Sequence, residues 1–265
     1  MTTDNVLAII PARVGSKGLP GKNFKYLAGV SPIQRALNCA HATGCHPIVL
    51  TTDSEALGYL PHWDPFQAPG YHQGSSEALI YLKRPLLLAQ DDTPMIDVVR
   101  HVLMEIPGSP DQIIVLLQPT QPLREPRHVL AAIAELRGSS FLGSVVSVTP
   151  IPKTHNPEWQ YLVKDSVAVH WPGTLGGRGV HRRQDLEQTY IRDGTVYAIR
   201  RGTILACNDL YGSSSRALII PPEETCSLDT KADWLEAERR LNEREMGHYV
   251  IQPQRTVDIT DYLTG

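Results

Sequence analysis

A chain of 265 residues with 42% apolar side chains has enough core-forming material for one large α/β domain, or for one domain with a projecting lobe. Its formal net charge of −3 offers no general positive field to draw in nucleic acid or an anionic membrane, so an anionic ligand must be caught by a local cluster of cations. Cys39, Cys45, Cys207 and Cys226 form no CxxC pair and read as reduced thiols; with no basic leader and no apolar run near about 20 residues, a cytoplasmic protein is expected.

Residues 6–11 are a continuous apolar run, the mark of a strand buried on both faces. Ser31 and Pro32 read as N-cap and first helical residue, followed by Ile33, Ala36, Leu37 and Ala40 at helical spacing. Residues 47–52 form a second strand ending in Thr51, Thr52 and Asp53. Thr93 and Pro94 open a helix whose stripe is Ile96, Val99, Leu103 and Ile106, and 112–118 is a third buried strand. A helix over 126–136 and a fourth strand over 144–149 follow. This alternation predicts a three-layer, mostly parallel α/β sheet, with residues 1–150 as its ligand-binding core.

Past Pro150 the texture changes. Residues 151–190 are polar, carry Trp159 and Trp171, and include a glycine-rich stretch over 173–179, so a lobe of hairpins and loops is expected there. Strand-like 195–200 and 217–221, with a helix from Thr230 to about residue 245, complete the core within 191–248. Residues 249–265 read as a tail lying on the surface or on a partner subunit.

The loop after the first strand, IPARVGSKGLPGKN over 10–23, carries the most chemistry. Gly15, Gly18 and Gly21 let the backbone approach a ligand and turn N–H groups toward it. Arg13, Lys17, Lys22 and Lys25 are four cations with no acidic residue between them, a match for the roughly four negative charges of a triphosphate. A Walker loop is excluded because Asn23 follows Lys22, and the dinucleotide GxGxxG is absent. The plainer alternative is a solvent-exposed basic turn.

IIPARVGSKGLPGKN resembles the signature of the acylneuraminate (CMP-sialic acid) cytidylyltransferases, relatives of the CMP-Kdo synthetases. TTDSEAL at 51–57, RPLLLAQDDTPMIDVVRHVL at 84–103, LLQPTQPLR at 116–124, RRQDLEQTYIRDGTVYAIRR at 182–201 and SLDTKADWLEAERRL at 227–241 agree in order and spacing. The resemblance implies a Rossmann-like nucleotidyltransferase fold, transfer of CMP from CTP to an acid, and pairing of two copies through a lobe. It implies that Arg13, Ser16 and Lys22 hold the phosphates, that Asn23 helps to recognise cytosine, and that Arg84 lies near base and ribose. Ala12, Gly15, Lys17, Lys25 and Gln118 complete the expected nucleotide-binding set, and Gln118, Pro119 and Thr120 line the floor between nucleotide and acceptor. The family's Mg²⁺ sits on an Asp-x-Asp pair; here Asp229 matches the second member and Ser227 stands at the first. Asp229 also suits the cap of a helix that begins at Thr230.

The acceptor side is expected to draw on Thr120, Arg178, Arg182, Arg183, Gln184 and Tyr197. Arginines suit carboxylate or phosphonate oxygens better than hydroxyls, so the run Arg178-Gly-Val-His181-Arg182-Arg183 raises a small phosphonate as an alternative to a nonulosonic acid. Asp193 stands where the family has Asn, and the segment 206–216 lacks an aromatic pair common near the sugar acid. A non-catalytic nucleotide-binding homologue is the alternative of another class, suggested by Ser227. Retention of Arg13, Lys22, Arg84, Gln118 and Asp229 argues against it.

Overall fold

The computed structural model describes residues 5–15, 18–54, 79–172 and 182–246. Seven strands form one sheet: β1 (Val6–Pro11), β2 (Ile48–Thr52), β3 (Leu79–Lys83), β4 (Ile113–Leu116), β5 (Ser144–Pro150), β8 (Tyr190–Arg200) and β9 (Ser215–Ile219), in the order β3-β2-β1-β4-β8-β5-β9. Only β8 runs against its neighbours β4 and β5; the other pairings are parallel. β6 (Tyr161–Lys164) and β7 (Val167–His170) make a separate antiparallel hairpin.

The helices are α1 (Pro32–Ala42), α2 (Met95–Glu105), α3 (Pro126–Arg137), α4 (Arg201–Cys207) and α5 (Lys231–Met246). Alternation along β1 explains the layers. Val6, Ala8 and Ile10 enter a core shared with α1 and α3, whereas Leu7 and Ile9 enter the opposite core with α2 and α4. A strand that feeds two cores must be apolar at every position, which is why 6–11 shows no polar alternation. Ser31 caps α1, its Oγ accepting from the Gln34 N–H at 3.2 Å.

Two elements do not stand out in the sequence. β3 is an edge strand of five half-buried or exposed residues, and α4 is a helix of only seven. α4 fits because Gly202 packs against Pro110, where a Cβ would already lie at 3.3 Å. β8 also starts five residues ahead of the expected strand. Its register with β5 shifts between Val146 and Val148, opposite residues 193–196, where Gly194 takes φ 79°. The Ser147 Oγ occupies this bulge and accepts from the Val196 N–H at 2.9 Å.

A smaller core of Leu27, Leu123, Leu228, Ala237 and Leu241 fastens α5 to the opening loop region. It brings residues 227–229 over the carboxyl ends of β1 and β4. Successive strands are laid out in opposite directions from these two, and that switch point is where open α/β sheets bind ligands. Among the described residues no helix is long and apolar enough to cross a membrane.

Candidate active site

An open cleft of roughly 460 Å³ lies at that switch point. Of the residues expected at the site, Arg13, Lys22, Asn23, Arg84, Gln118, Pro119, Thr120 and Asp229 all line it, together with Pro11, Gly18, Asp91 and Met95. Ala12 is buried beside it, its N–H bonded to the Thr51 carbonyl at 3.0 Å. Gly15 and Lys25 are exposed and do not line it. Ser16, Lys17, Arg178, His181, the 173–179 stretch and the 249–265 tail lie outside the described residues.

The opening loop is tied down at both ends. The Val14 N–H donates to Asp53 Oδ1 at 2.9 Å, so the carboxylate at the end of β2 holds the turn. Gly18 packs on Asp229, and any Cβ there would fall inside van der Waals contact of the Asp229 carbonyl oxygen. Arg13 Nη2 lies 2.7 Å from Asp91 Oδ1. Lys22 Nζ donates to the Leu228 carbonyl at 2.5 Å and lies 3.6 Å from Asp229 Oδ1.

Asn23 is buried; its Nδ2 donates to the Arg13 carbonyl at 3.0 Å, while its Oδ1 has no hydrogen-bond partner among the described residues. A buried carbonyl oxygen without a partner is costly unless a ligand N–H fills it. Arg84 is buried as well, with Nη2 on the Thr51 carbonyl at 2.8 Å. Burial pulls its guanidinium down to about 10, opposed by nearby Asp53, so it remains a cation at neutral pH.

The floor between β4 and α3 is held from below by two residues that no motif reasoning singled out. Arg124 donates from Nη2 to the Gln118 carbonyl at 2.6 Å and from Nε to the Thr195 carbonyl. Gln121 donates from Nε2 to the Asp193 carbonyl. Both sit inside the LLQPTQPLR block, which was the available signal. The Leu228 N–H donates to the Thr120 carbonyl at 3.0 Å, closing the floor onto the 227–229 segment.

Asp229 is not the cap of α5. Thr230 is: its Oγ1 accepts from the Asp233 N–H at 3.2 Å, and Asp233 Oδ2 accepts from the Thr230 N–H at 2.7 Å. Thr230 and Asp233 satisfy each other, so the Asp229 carboxylate is left exposed, with Ser227 Oγ donating to its Oδ2 at 2.7 Å. Among the described residues no three His, Cys, Asp or Glu side chains converge as a ready metal cage. One exposed carboxylate in a cleft lined by Arg13, Lys22 and Arg84 fits Mg²⁺, which takes one or two carboxylates and otherwise phosphate and water oxygens.

The expected acceptor residues are scattered. Arg182, Arg183 and Gln184 are exposed around a single 3-10 turn (Arg183–Asp185), where the Gln184 carbonyl accepts from Lys153 Nζ at 3.2 Å; none lines the cleft. Tyr197 is packed in the α2-side core, paired with Leu116 of β4 and tilted against Tyr211 at 6.3 Å.

Residues 7–58 match the family model described as cytidylyltransferase. The N-acylneuraminate cytidylyltransferase of Streptococcus agalactiae serotype V is 29% identical over 232 residues, 86% of this chain and 51% of that protein. The CMP-N,N'-diacetyllegionaminic acid synthase of Legionella pneumophila is 28% identical over 243 residues, 89% of this chain and 96% of that protein. The chain thus spans about half the length of the streptococcal relatives it matches and nearly all of the Legionella one. Among solved structures, a CMP:2-keto-3-deoxy-manno-octonic acid synthetase complexed with CTP superposes with a TM-score of 0.63 at 19% identity, covering 90% of this chain and 99% of that one. A 4-diphosphocytidyl-2C-methyl-D-erythritol synthase from Anaerococcus prevotii gives 0.59 at 14%, covering 89% and 96%. The fold is that of the α/β nucleotidyltransferases, and the resemblance carried by the opening loop extends over most of the chain.

Proposed function

We propose that this chain, a relative of the cytidylyltransferases, transfers CMP from CTP to an acidic sugar and releases pyrophosphate. The observation that carries the reading is the convergence of Arg13, Lys22, Asn23, Arg84 and Gln118 in one cleft at the β1–β4 switch point. These residues come from three separate stretches of chain, and a solvated basic turn would not gather them.

In the transfer, an acceptor oxygen attacks the α-phosphorus and pyrophosphate leaves in line. Arg13 and Lys22 exchange Asp91 and the Leu228 carbonyl for phosphate oxygens, and offset charge as it moves onto the leaving group. The unpartnered Asn23 Oδ1 suits the exocyclic amine of cytosine. Arg84, fixed by Thr51, is placed for base and ribose, and the Gln118–Thr120 floor separates donor from acceptor. Asp229 is the residue to hold a Mg²⁺ that, when bound, neutralises the phosphates further.

The named relatives act on sugar acids, and nothing in the cleft or the comparisons favours a phosphonate. Pyrophosphate release with each of the four nucleoside triphosphates, Mg²⁺, N-acetylneuraminate and other sugar acids tests the reading. CTP is expected to exceed ATP, GTP and UTP by about tenfold or more, the worth of one well-placed base contact. ATP or GTP turned over equally well would refute it.

We also propose a homodimer. Tyr161, Val163, Val167, Val169 and Trp171 of the β6–β7 hairpin are exposed, as are Tyr190 and Ile191 at the start of β8. Exposed apolar side chains gathered on one projecting element mark an interaction surface. A monomer by light scattering at micromolar concentration would refute pairing.

A further inference from the structure

Arg192 is a cation near the cleft floor that is neither among the site residues expected from the sequence nor among those lining the cleft. It lies on β8 with its guanidinium carbon 5.0 Å from the centre of the Tyr211 ring. Tyr211 is the single aromatic of the 206–216 segment, which lacks an aromatic pair, and its ring meets Tyr197 at 6.3 Å. Tyr197 stands opposite Leu116, two residues before Gln118. Met95, which lines the cleft, packs against the same core as Tyr197 and Tyr211. The three side chains therefore form a tier from the end of β4 outward, on the α2 face of the sheet.

The backbone beneath Arg192 is rigidly placed against that floor. The Asp193 carbonyl accepts from Gln121 Nε2, and a Cβ on Gly194 would lie 3.2 Å from Gln118 Oε1. The Asp193 carboxylate is turned inward onto Thr195, which donates to it through both N–H and Oγ1, so it does not neutralise Arg192. Among the described residues the Arg192 guanidinium makes no hydrogen bond and no ion pair; it lies over the face of Tyr211. The Tyr197 hydroxyl has no hydrogen-bond partner among those residues either. Burial pushes that phenol up, and the Arg192 charge works against the shift, which places the cation within electrostatic reach of the ring.

An arginine laid on an aromatic face keeps its N–H edge free and loses little freedom on binding, which suits two-pronged contact with a carboxylate. We propose that Arg192, braced by Tyr211, anchors the acceptor's carboxylate and so selects an acid over a neutral sugar. The proposal rests on the sugar-acid transfer reading above. It assigns to β8 the role that the sequence suggested for the 178–183 run.

The test compares wild type, Arg192→Ala and Arg192→Lys at saturating CTP, with N-acetylneuraminate and its methyl ester as varied acceptors, and N,N'-diacetyllegionaminic acid and its methyl ester as a second pair. Arg192→Ala is expected to raise the KM for the acid by about tenfold, the worth of one charge-assisted pair, with the KM for CTP within about twofold. The KM for the ester should stay near its wild-type value, so the preference for acid over ester collapses. Arg192→Lys should recover part of the preference, since charge returns without the planar fork. A mere brace for Tyr211 would raise acid and ester KM together, and that result, or an unchanged acid KM, overturns the anchor. A wild type inert toward both acids with CTP refutes the transfer reading itself, and the anchor with it; an active wild type with an indifferent Arg192 refutes the anchor alone.

Discussion

Lys22→Ala is expected to lower kcat/KM for CTP by about a hundredfold, equivalent to roughly 3 kcal/mol of transition-state stabilisation. Its Nζ is held by the Leu228 carbonyl and the Asp229 carboxylate, the former a contact that offers no countercharge and the latter an exposed one. A triphosphate entering the cleft presents more charge than either. Losing the hydrogen bond to the carbonyl of buried Leu228 costs about 1–3 kcal/mol, a loss at one position on the cleft wall that leaves the fold in place. Arg13→Ala should behave alike, because its partner Asp91 is more than a third exposed and the ion pair is correspondingly weak. Steady-state pyrophosphate release at saturating acceptor, with a thermal melt beside it, reads both quantities. Unaltered kcat/KM in both variants would mean that the loop serves another ligand.

Arg124→Met is expected to have the largest effect on stability. The guanidinium is buried and bridges the carbonyls of Gln118 and Thr195, one on the cleft floor and one on β8. Burial draws it down to about 10, still well above neutrality, so the bridge is made by a cation. Methionine fills much of the space but leaves both carbonyls without donors. Hydrogen bonds to a charged group contribute about 1.5–3 kcal/mol each, so a loss of about 3 kcal/mol is a lower figure for the pair. For a chain of this size that corresponds to a midpoint roughly 6–12 °C lower. Activity should fall as well, since Gln118 and the 193–195 bulge would no longer be held in register. A urea titration showing a loss below about 1 kcal/mol would show that the bridge is dispensable.

The nucleotide half of the site was legible because its information is local. Gly15, Gly18, Gly21 and the cations between them occupy one loop, and the strand before it announces itself by an unbroken apolar run. Ser31, Pro32 and the helical stripe after them are equally short-range. Even so, the reason for Gly18 is long-range: it is the backbone of Asp229, 211 positions later, that leaves no room for a side chain. Asp229 was found through the family pattern, but its availability depends on Thr230 and Asp233 capping the helix between themselves.

The acceptor half is less local. Arg182 and Arg183 drew attention as a basic run, yet they are exposed on a 3-10 turn away from the cleft. Arg192, Tyr197 and Tyr211 are spread over 20 positions and show no pattern, because strand pairing and a bulge bring them together, not periodicity. By itself the sequence determined a parallel α/β sheet, the order of its first strands and the loop proposed to meet the phosphates, since apolar period, glycine and charge act over a few residues. Only the tertiary structure decided that β8 enters antiparallel between β4 and β5, that Arg124 holds the floor, and which cation stands over an aromatic ring. Those depend on pairing energies and buried hydrogen bonds between residues about 70 positions apart, a distance at which no local pattern carries the signal.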